Sequence, residues 1–323
     1  MSKIAFIFPG QGSQYVGMGK ALHDVFGLAR ELFQRADEML GYPLSRICFE
    51  GPEEKLKKTG NTQPGIFVVS AIVQAILKER GLRPAAVAGH SLGEYAALHC
   101  AGALTFEDAL RLVVERGRAM NDASEANAGS MAAVIGLEAE KLAEVCRNAS
   151  EKGVVQIANI NAPDQLVITG AVEAVIAASE GAKSAGAKRA IPLPVHGAFH
   201  SPLMESAAIR LKQALRDVPI RTPEISFVNN ADAAFLTEPE DIRDSLARQV
   251  TSCVRWVESV EKLISSGVTG MIEAGPGKVL QGLVRRIAGE IPVQSCDTPE
   301  TINEIAPAKI LSRRARRGRS EDA

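Results

Sequence analysis

The chain has 323 residues, 46% apolar and 23% charged, which excludes a disordered or collagen-like polymer and allows one large domain or two at roughly 100–200 residues each. Its 37 basic and 38 acidic side chains leave a net charge of −1 that by itself says nothing about partners. No apolar run approaches the roughly 20 residues of a membrane helix and Met1-Ser2-Lys3-Ile4 opens no signal-peptide pattern, so a cytoplasmic protein is expected.

The first element is the apolar run Lys3-Ile4-Ala5-Phe6-Ile7-Phe8, which stops at Pro9-Gly10 as a buried strand stops at a turn, with a helix expected to follow. The turn, Pro9-Gly10-Gln11-Gly12-Ser13-Gln14, superficially suggests a dinucleotide fingerprint. Tyr15 occupies the position that must be small, so a Rossmann cofactor site is not expected, although a backbone N–H of the turn can still face a site.

A second strand, Ala85-Ala86-Val87-Ala88-Gly89, runs into Gly89-His90-Ser91-Leu92-Gly93 and the helix formers Glu94-Tyr95-Ala96-Ala97-Leu98. This strand–GxSxG–helix context points to an exposed nucleophilic Ser91 at a helix N-terminus; the plainer alternative is a helix-capping serine. Arg116 and Arg118 follow on a helical stretch from Phe106 to Met120, where position alone makes both surface cations.

From about Gly129 to Val195 the pattern becomes strand, helix, strand, strand, helix, strand: Met131 to Ile135, Glu138 to Asn148, Val154 to Asn159, Gln165 to Thr169, Val172 to Ala185 and Ala190 to Pro194. This βαββαβ order is ferredoxin-like. It reads as a subdomain (128–196) inserted into a large α/β domain with a parallel sheet (1–127 and 197–308), bounded on the left by the polar stretch Asp122 to Ser130. Another strand falls at Gly270-Met271-Ile272-Glu273. The end, 309–323, carries six basic and two acidic residues, +4 against −5 on the rest; a solvated disordered tail is expected, with docking to an acidic partner the sharper alternative.

Cys48, Cys100, Cys146, Cys253 and Cys296 are widely spaced without any CxxC and are expected as buried free thiols. A nucleophilic serine needs a base, and only five histidines are available. His90 adjoins the serine with its side chain expected to point away, His99 packs along the next helix, and His23 is expected at the surface. His196 or His200 is left as the base; their HxxxH spacing lacks the acid of a zinc helix, so no metal is expected. No histidine follows position 200, so the Ser–acid–late His order of an α/β-hydrolase is absent and an ordinary esterase is disfavoured.

Six ordered motifs carry a family resemblance: Phe8-Pro9-Gly10-Gln11-Gly12-Ser13-Gln14, Gly89-His90-Ser91-Leu92-Gly93-Glu94, Arg116-Gly117, Asn159-x-Asn161-x-Pro163-x-Gln165-x-Val167-Ile168-x-Gly170, Gly197-Ala198-Phe199-His200-Ser201-Pro202-x-Met204 and Glu273-x-Gly275-Pro276-Gly277. Over residues 3–300 the chain resembles the malonyl-CoA:acyl carrier protein transacylases of fatty acid synthesis and the acyltransferase domains of polyketide synthases. The resemblance implies an α/β-hydrolase-like domain with a ferredoxin-like insertion. It also implies malonyl transfer from malonyl-CoA to the phosphopantetheine thiol of acyl carrier protein, by a ping-pong route through malonyl-serine, for chain extension.

On that resemblance Ser91 is the nucleophile and His200 the base, oriented by the backbone carbonyl of Gln249. The N–H groups of Gln11 and Leu92 form the oxyanion hole, and Arg116, Phe199 and Asn161 contact substrate, Arg116 on the malonyl carboxylate and Phe199 in the space of an α-methyl group. The surface expectation for Arg116 is thereby reversed, and Arg118 keeps it. His196 departs from the small residue common at its position. No cofactor, no metal, no nucleic-acid or membrane partner and a monomer are expected. A thioesterase using the same Ser–His pair and a non-catalytic carrier-binding module are the competing readings.

Overall fold

The computed structural model describes residues 3–195 and 197–305. The alternating strands and helices build a six-stranded sheet from β1 (Lys3–Phe8), β2 (Ala86–Gly89), β7 (Ser226–Val228), β8 (Phe235–Leu236), β9 (Val268–Ala274) and β10 (Val293–Cys296), in the order β10-β9-β1-β2-β7-β8. Every pairing is parallel except that of β7 with the short edge strand β8. Strands β1 and β2 are buried almost throughout, which is why they read as continuous rather than alternating apolar runs. Strand order reverses at β1, and the loops leaving the carboxyl ends of β1 and β2 carry Gln11 and Ser91, the place where open α/β sheets bind ligands.

The second sheet is fully antiparallel, β3 (Gly129–Ile135), β4 (Val155–Ala162), β5 (Gln165–Ala171) and β6 (Arg189–Pro192), in the ferredoxin-like order β4-β5-β3-β6. Strand alternation gives it two faces. Ala132, Val134, Leu166 and Ile168 pack under the helices Ala139–Ala149 and Val172–Ser184, whereas Met131 and Val167 join the core of the larger sheet. The two sheets are tied through Val254, whose N–H donates to Ala158 (2.8 Å) and whose carbonyl accepts from Ile160 (2.9 Å).

Several sequence expectations change. No helix follows the first turn directly: the chain stays irregular until Lys20, because Gly12, Gly17 and Gly19 all adopt positive φ. The helix begun at Phe106, capped by the Thr105 hydroxyl on the Asp108 N–H, runs on to Ala126 because Ala119, Met120 and Ala123 continue its buried stripe; the polar stretch from Asp122 is therefore helical in its first half. A run long and apolar enough to cross a membrane also exists, the helix Thr59–Glu79, yet 83% of its apolar window is buried inside the protein, so it is a core helix. Of the five free cysteines, Cys100 and Cys253 are only half-buried. His23 is likewise half-buried, against the rings of Phe33 and Phe49. His196 and the basic residues 309–323 lie outside the described residues.

The motif acid Glu273 has a structural duty. Its carboxylate accepts from the N–H groups of Leu280 (2.9 Å) and Gln281 (2.8 Å) at the first turn of the helix Val279–Ile287. Burial pushes its carboxyl up to about 7 while those hydrogen bonds draw it down.

Candidate active site

The turn after β2 is held by close backbone packing. A Cβ on Gly89 would lie 1.9 Å from the carbonyl carbon of Gly93, and one on Gly93 would lie 2.1 Å from the carbonyl oxygen of Phe8, so both positions exclude any side chain. The compression leaves Ser91 in the left-handed region, φ 51°, just ahead of the helix Gly93–Cys100. The Ser91 N–H is already committed to Asn230 Oδ1 (2.6 Å). Among the described residues the N–H groups of Leu92 and Gln11 donate to no other protein group, and both residues line the cavity in front of Ser91. Two unengaged donors beside a nucleophile are what a developing oxyanion needs.

Ser91 Oγ lies 2.8 Å from His200 Nε2. His200 is buried, also at positive φ (60°), and its Nδ1 faces two carbonyl oxygens, Gln249 at 2.9 Å and Ser252 at 3.1 Å. Carbonyls only accept, so Nδ1 carries the proton and Nε2 is left as the acceptor for the serine hydroxyl. Burial, with the nearby Arg116 and His90 adding to it, pushes the imidazole down to about 3, which keeps the ring neutral with Nε2 unprotonated. The His200 carbonyl is itself tied to the smaller sheet by Gln156 Nε2 (2.8 Å).

Arg116 is 1% exposed, not at the surface where position alone puts it. Its Nη2 donates to Ser91 Oγ (2.9 Å) and to Gln249 Oε1 (3.0 Å), and its Nη1 to Gln63 Oε1 (2.9 Å). Its Nε is buried without a partner, and no carboxylate among the described residues makes an ion pair with it. Burial lowers its proton affinity. A guanidinium held by neutral acceptors retains its charge unpaired and can receive an anion. Arg118, one turn face away, is exposed.

The cavity in front of these groups has a volume of about 170 Å³ and is walled by Met120, Met131, Val167, Leu193 and Phe199 opposite Ser91, Arg116 and His200. Asn161 also borders it, with Oδ1 2.8 Å from His90 Nε2, so His90 turns from the serine toward the smaller sheet. A larger cavity of about 600 Å³, between the helices Ala139–Ala149 and Val172–Ser184, is bordered by none of the sequence-predicted site residues.

Gln63, Glu94 and the Gln249 side chain were missed as parts of the site. Only Glu94 left a signal, as the one acidic residue of a mostly apolar helical run; Gln63 ends the polar stretch Thr59 to Thr62, where nothing sets it apart, although both are buried.

A family model for the acyl transferase domain matches residues 5–316. The chain is 49% identical over 303 residues to a malonyl CoA-acyl carrier protein transacylase of Bacillus subtilis, covering 94% of this chain and 96% of that one. Among solved structures it is similar to an acyl-carrier-protein S-malonyltransferase of Burkholderia pseudomallei, with a TM-score of 0.91, 45% identity and 94% and 98% of the two chains covered. It is also similar to a malonyl-transacylase in complex with a type II PKS acyl-carrier protein, with a TM-score of 0.91, 40% identity and 94% and 98% covered.

Proposed function

The chain belongs to the acyl transferase domain family, and from that premise we propose that it is a malonyl-CoA:acyl carrier protein transacylase, with Ser91, His200 and Arg116 as its working groups. The observation that carries this reading is one oxygen with two partners: Ser91 Oγ reaches His200 Nε2 at 2.8 Å and Arg116 Nη2 at 2.9 Å, so base, nucleophile and anion receptor converge.

The malonyl carboxylate binds Arg116, and His200 Nε2 takes the Ser91 proton as Oγ attacks the thioester carbonyl. The N–H groups of Gln11 and Leu92 hold the oxyanion. The C–S bond breaks, the proton passes from His200 to the departing CoA sulfur, and malonyl-Ser91 remains. The phosphopantetheine thiol of the carrier protein then gives its proton to the same ring and attacks the ester carbonyl; the acyl C–Oγ bond breaks and His200 returns the proton to Ser91 Oγ. Phe199 and Asn161 border the acyl group; the ring occupies the space of an α-methyl substituent, a discrimination of about 1–3 kcal/mol. These steps need no cofactor or metal, and the protein works as a cytoplasmic monomer without nucleic-acid or membrane partners.

Incubation with malonyl-CoA and no acceptor leaves a malonyl adduct on Ser91, read by mass spectrometry of the digested protein. Absence of the adduct from folded protein overturns the reading. Because His200 is held neutral down to about 3, the single-turnover rate of adduct formation stays level as pH falls from about 8 to 5. An inflection at the ordinary imidazole value of about 6.5 would show a ring that burial and Arg116 do not perturb.

A further inference from the structure

Glu94 is fully buried one residue inside the helix that follows the nucleophile turn, with no contact to the cavity. Its two carboxyl oxygens are both acceptors: one takes the backbone N–H of Asn230, the other takes Gln249 Nε2 at 2.5 Å. The Gln249 amide has no freedom to turn over. Its Oε1 accepts from Arg116 Nη2 (3.0 Å), a group that only donates, and its Nε2 also donates to the Ser91 carbonyl (2.9 Å), a group that only accepts. The chain of bonds therefore has one polarity, from Arg116 through Gln249 to Glu94.

We infer that Glu94 is a positioning residue for acyl-group selection, aiming the Arg116 guanidinium at the malonyl carboxylate through the Gln249 amide. This rests on the reading of Arg116 as the carboxylate receptor. The inference follows from bonding capacity. Gln63 fixes Nη1 and Gln249 fixes Nη2, so the plane of the fork is set by two amides, and only the Gln249 amide is itself held by a buried carboxyl group. Gln63 instead leans on the weakly accepting sulfur of Met120. The anchor at Glu94 also joins the fork to the nucleophile turn and to Asn230, whose Oδ1 holds the Ser91 N–H.

The test is Glu94→Gln. The Asn230 N–H is a fixed backbone donor and claims the new amide oxygen, so the new NH₂ faces Gln249 Nε2, donor against donor. Whether the Gln249 amide retreats or turns over, Arg116 Nη2 loses its amide acceptor and keeps only Ser91 Oγ. The expected result is a fall of about tenfold in the ratio of malonyl to acetyl transfer, with the malonyl loss in KM rather than kcat. Parallel losses for both acyl groups mean a structural role only and overturn the inference, as does an unchanged ratio. Thermal unfolding is followed beside the kinetics. Should the glutamine protein fail to fold, Glu94→Asp, which keeps both acceptors but withdraws them by one methylene, carries the same expectation for the ratio. Arg116→Ala run alongside separates the two claims: a lost malonyl preference in that variant with an unchanged ratio in Glu94→Gln removes only the inference about Glu94.

Discussion

Replacing His200 with alanine slows acylation of Ser91 by malonyl-CoA at pH 7 by about 10²- to 10⁴-fold, the usual contribution of a positioned general base. The loss is not total because, in the proposed mechanism, the oxyanion donors Gln11 and Leu92 and the carboxylate receptor Arg116 remain in place. Transfer to the carrier protein slows as well, since the same Nε2 must accept the proton of the incoming thiol. Rapid-quench measurement of adduct formation checks the first step and transfer from preformed adduct checks the second. A near-parental rate in the first experiment would move the base to His196. The alanine protein also carries a non-glycine residue at φ 60° without the ring that anchors it, so a modest fall in melting temperature accompanies the kinetic loss.

That same histidine marks where sequence reasoning stops. Ser91 was legible because its turn has a local cause, two glycines whose missing Cβ atoms let backbone pass within van der Waals contact. Both sheets were legible from short apolar runs between turns and helical stretches, because β1 is buried on both faces and β5 likewise, with Leu166 and Ile168 in one core and Val167 in the other. The base was narrowed to two positions by the scarcity of histidine, and only the family resemblance chose between them. What holds it could not be read from side chains at all, because the Nδ1 acceptors are main-chain oxygens of Gln249 and Ser252, which any residue supplies.

Arg116 shows the opposite failure: its residue type pointed to the surface, and nothing at spacing i±3 or i±4 announced a partner. Its acceptors, Gln63 and Gln249, lie 53 and 133 residues away on other helices. Long-range polar pairing of this kind leaves no periodic trace. Burying a guanidinium among neutral acceptors costs several kcal/mol, an arrangement that folding alone does not explain.

Arg116→Ala lowers kcat/KM for malonyl transfer about 10²- to 10⁴-fold more than for acetyl transfer. The figure follows from the roughly 3–5 kcal/mol lost when one partner of a buried charge pair is removed, since in the proposed substrate complex the malonyl carboxylate is left without its cation. Arg116 Nη2 also donates to Ser91 Oγ, and its loss changes the nucleophile for every acyl donor. That part is common to malonyl and acetyl and cancels in their ratio, which isolates the carboxylate contact. In the parent protein an acetyl methyl leaves the Arg116 cation without an anion, whereas in the alanine protein that penalty is gone, so the two acyl groups converge from both directions. Paired measurements with malonyl-CoA and acetyl-CoA decide it. Equal losses for the two would mean that Arg116 serves the nucleophile alone, and the selection of a carboxylated acyl group would have to come from elsewhere in the cavity.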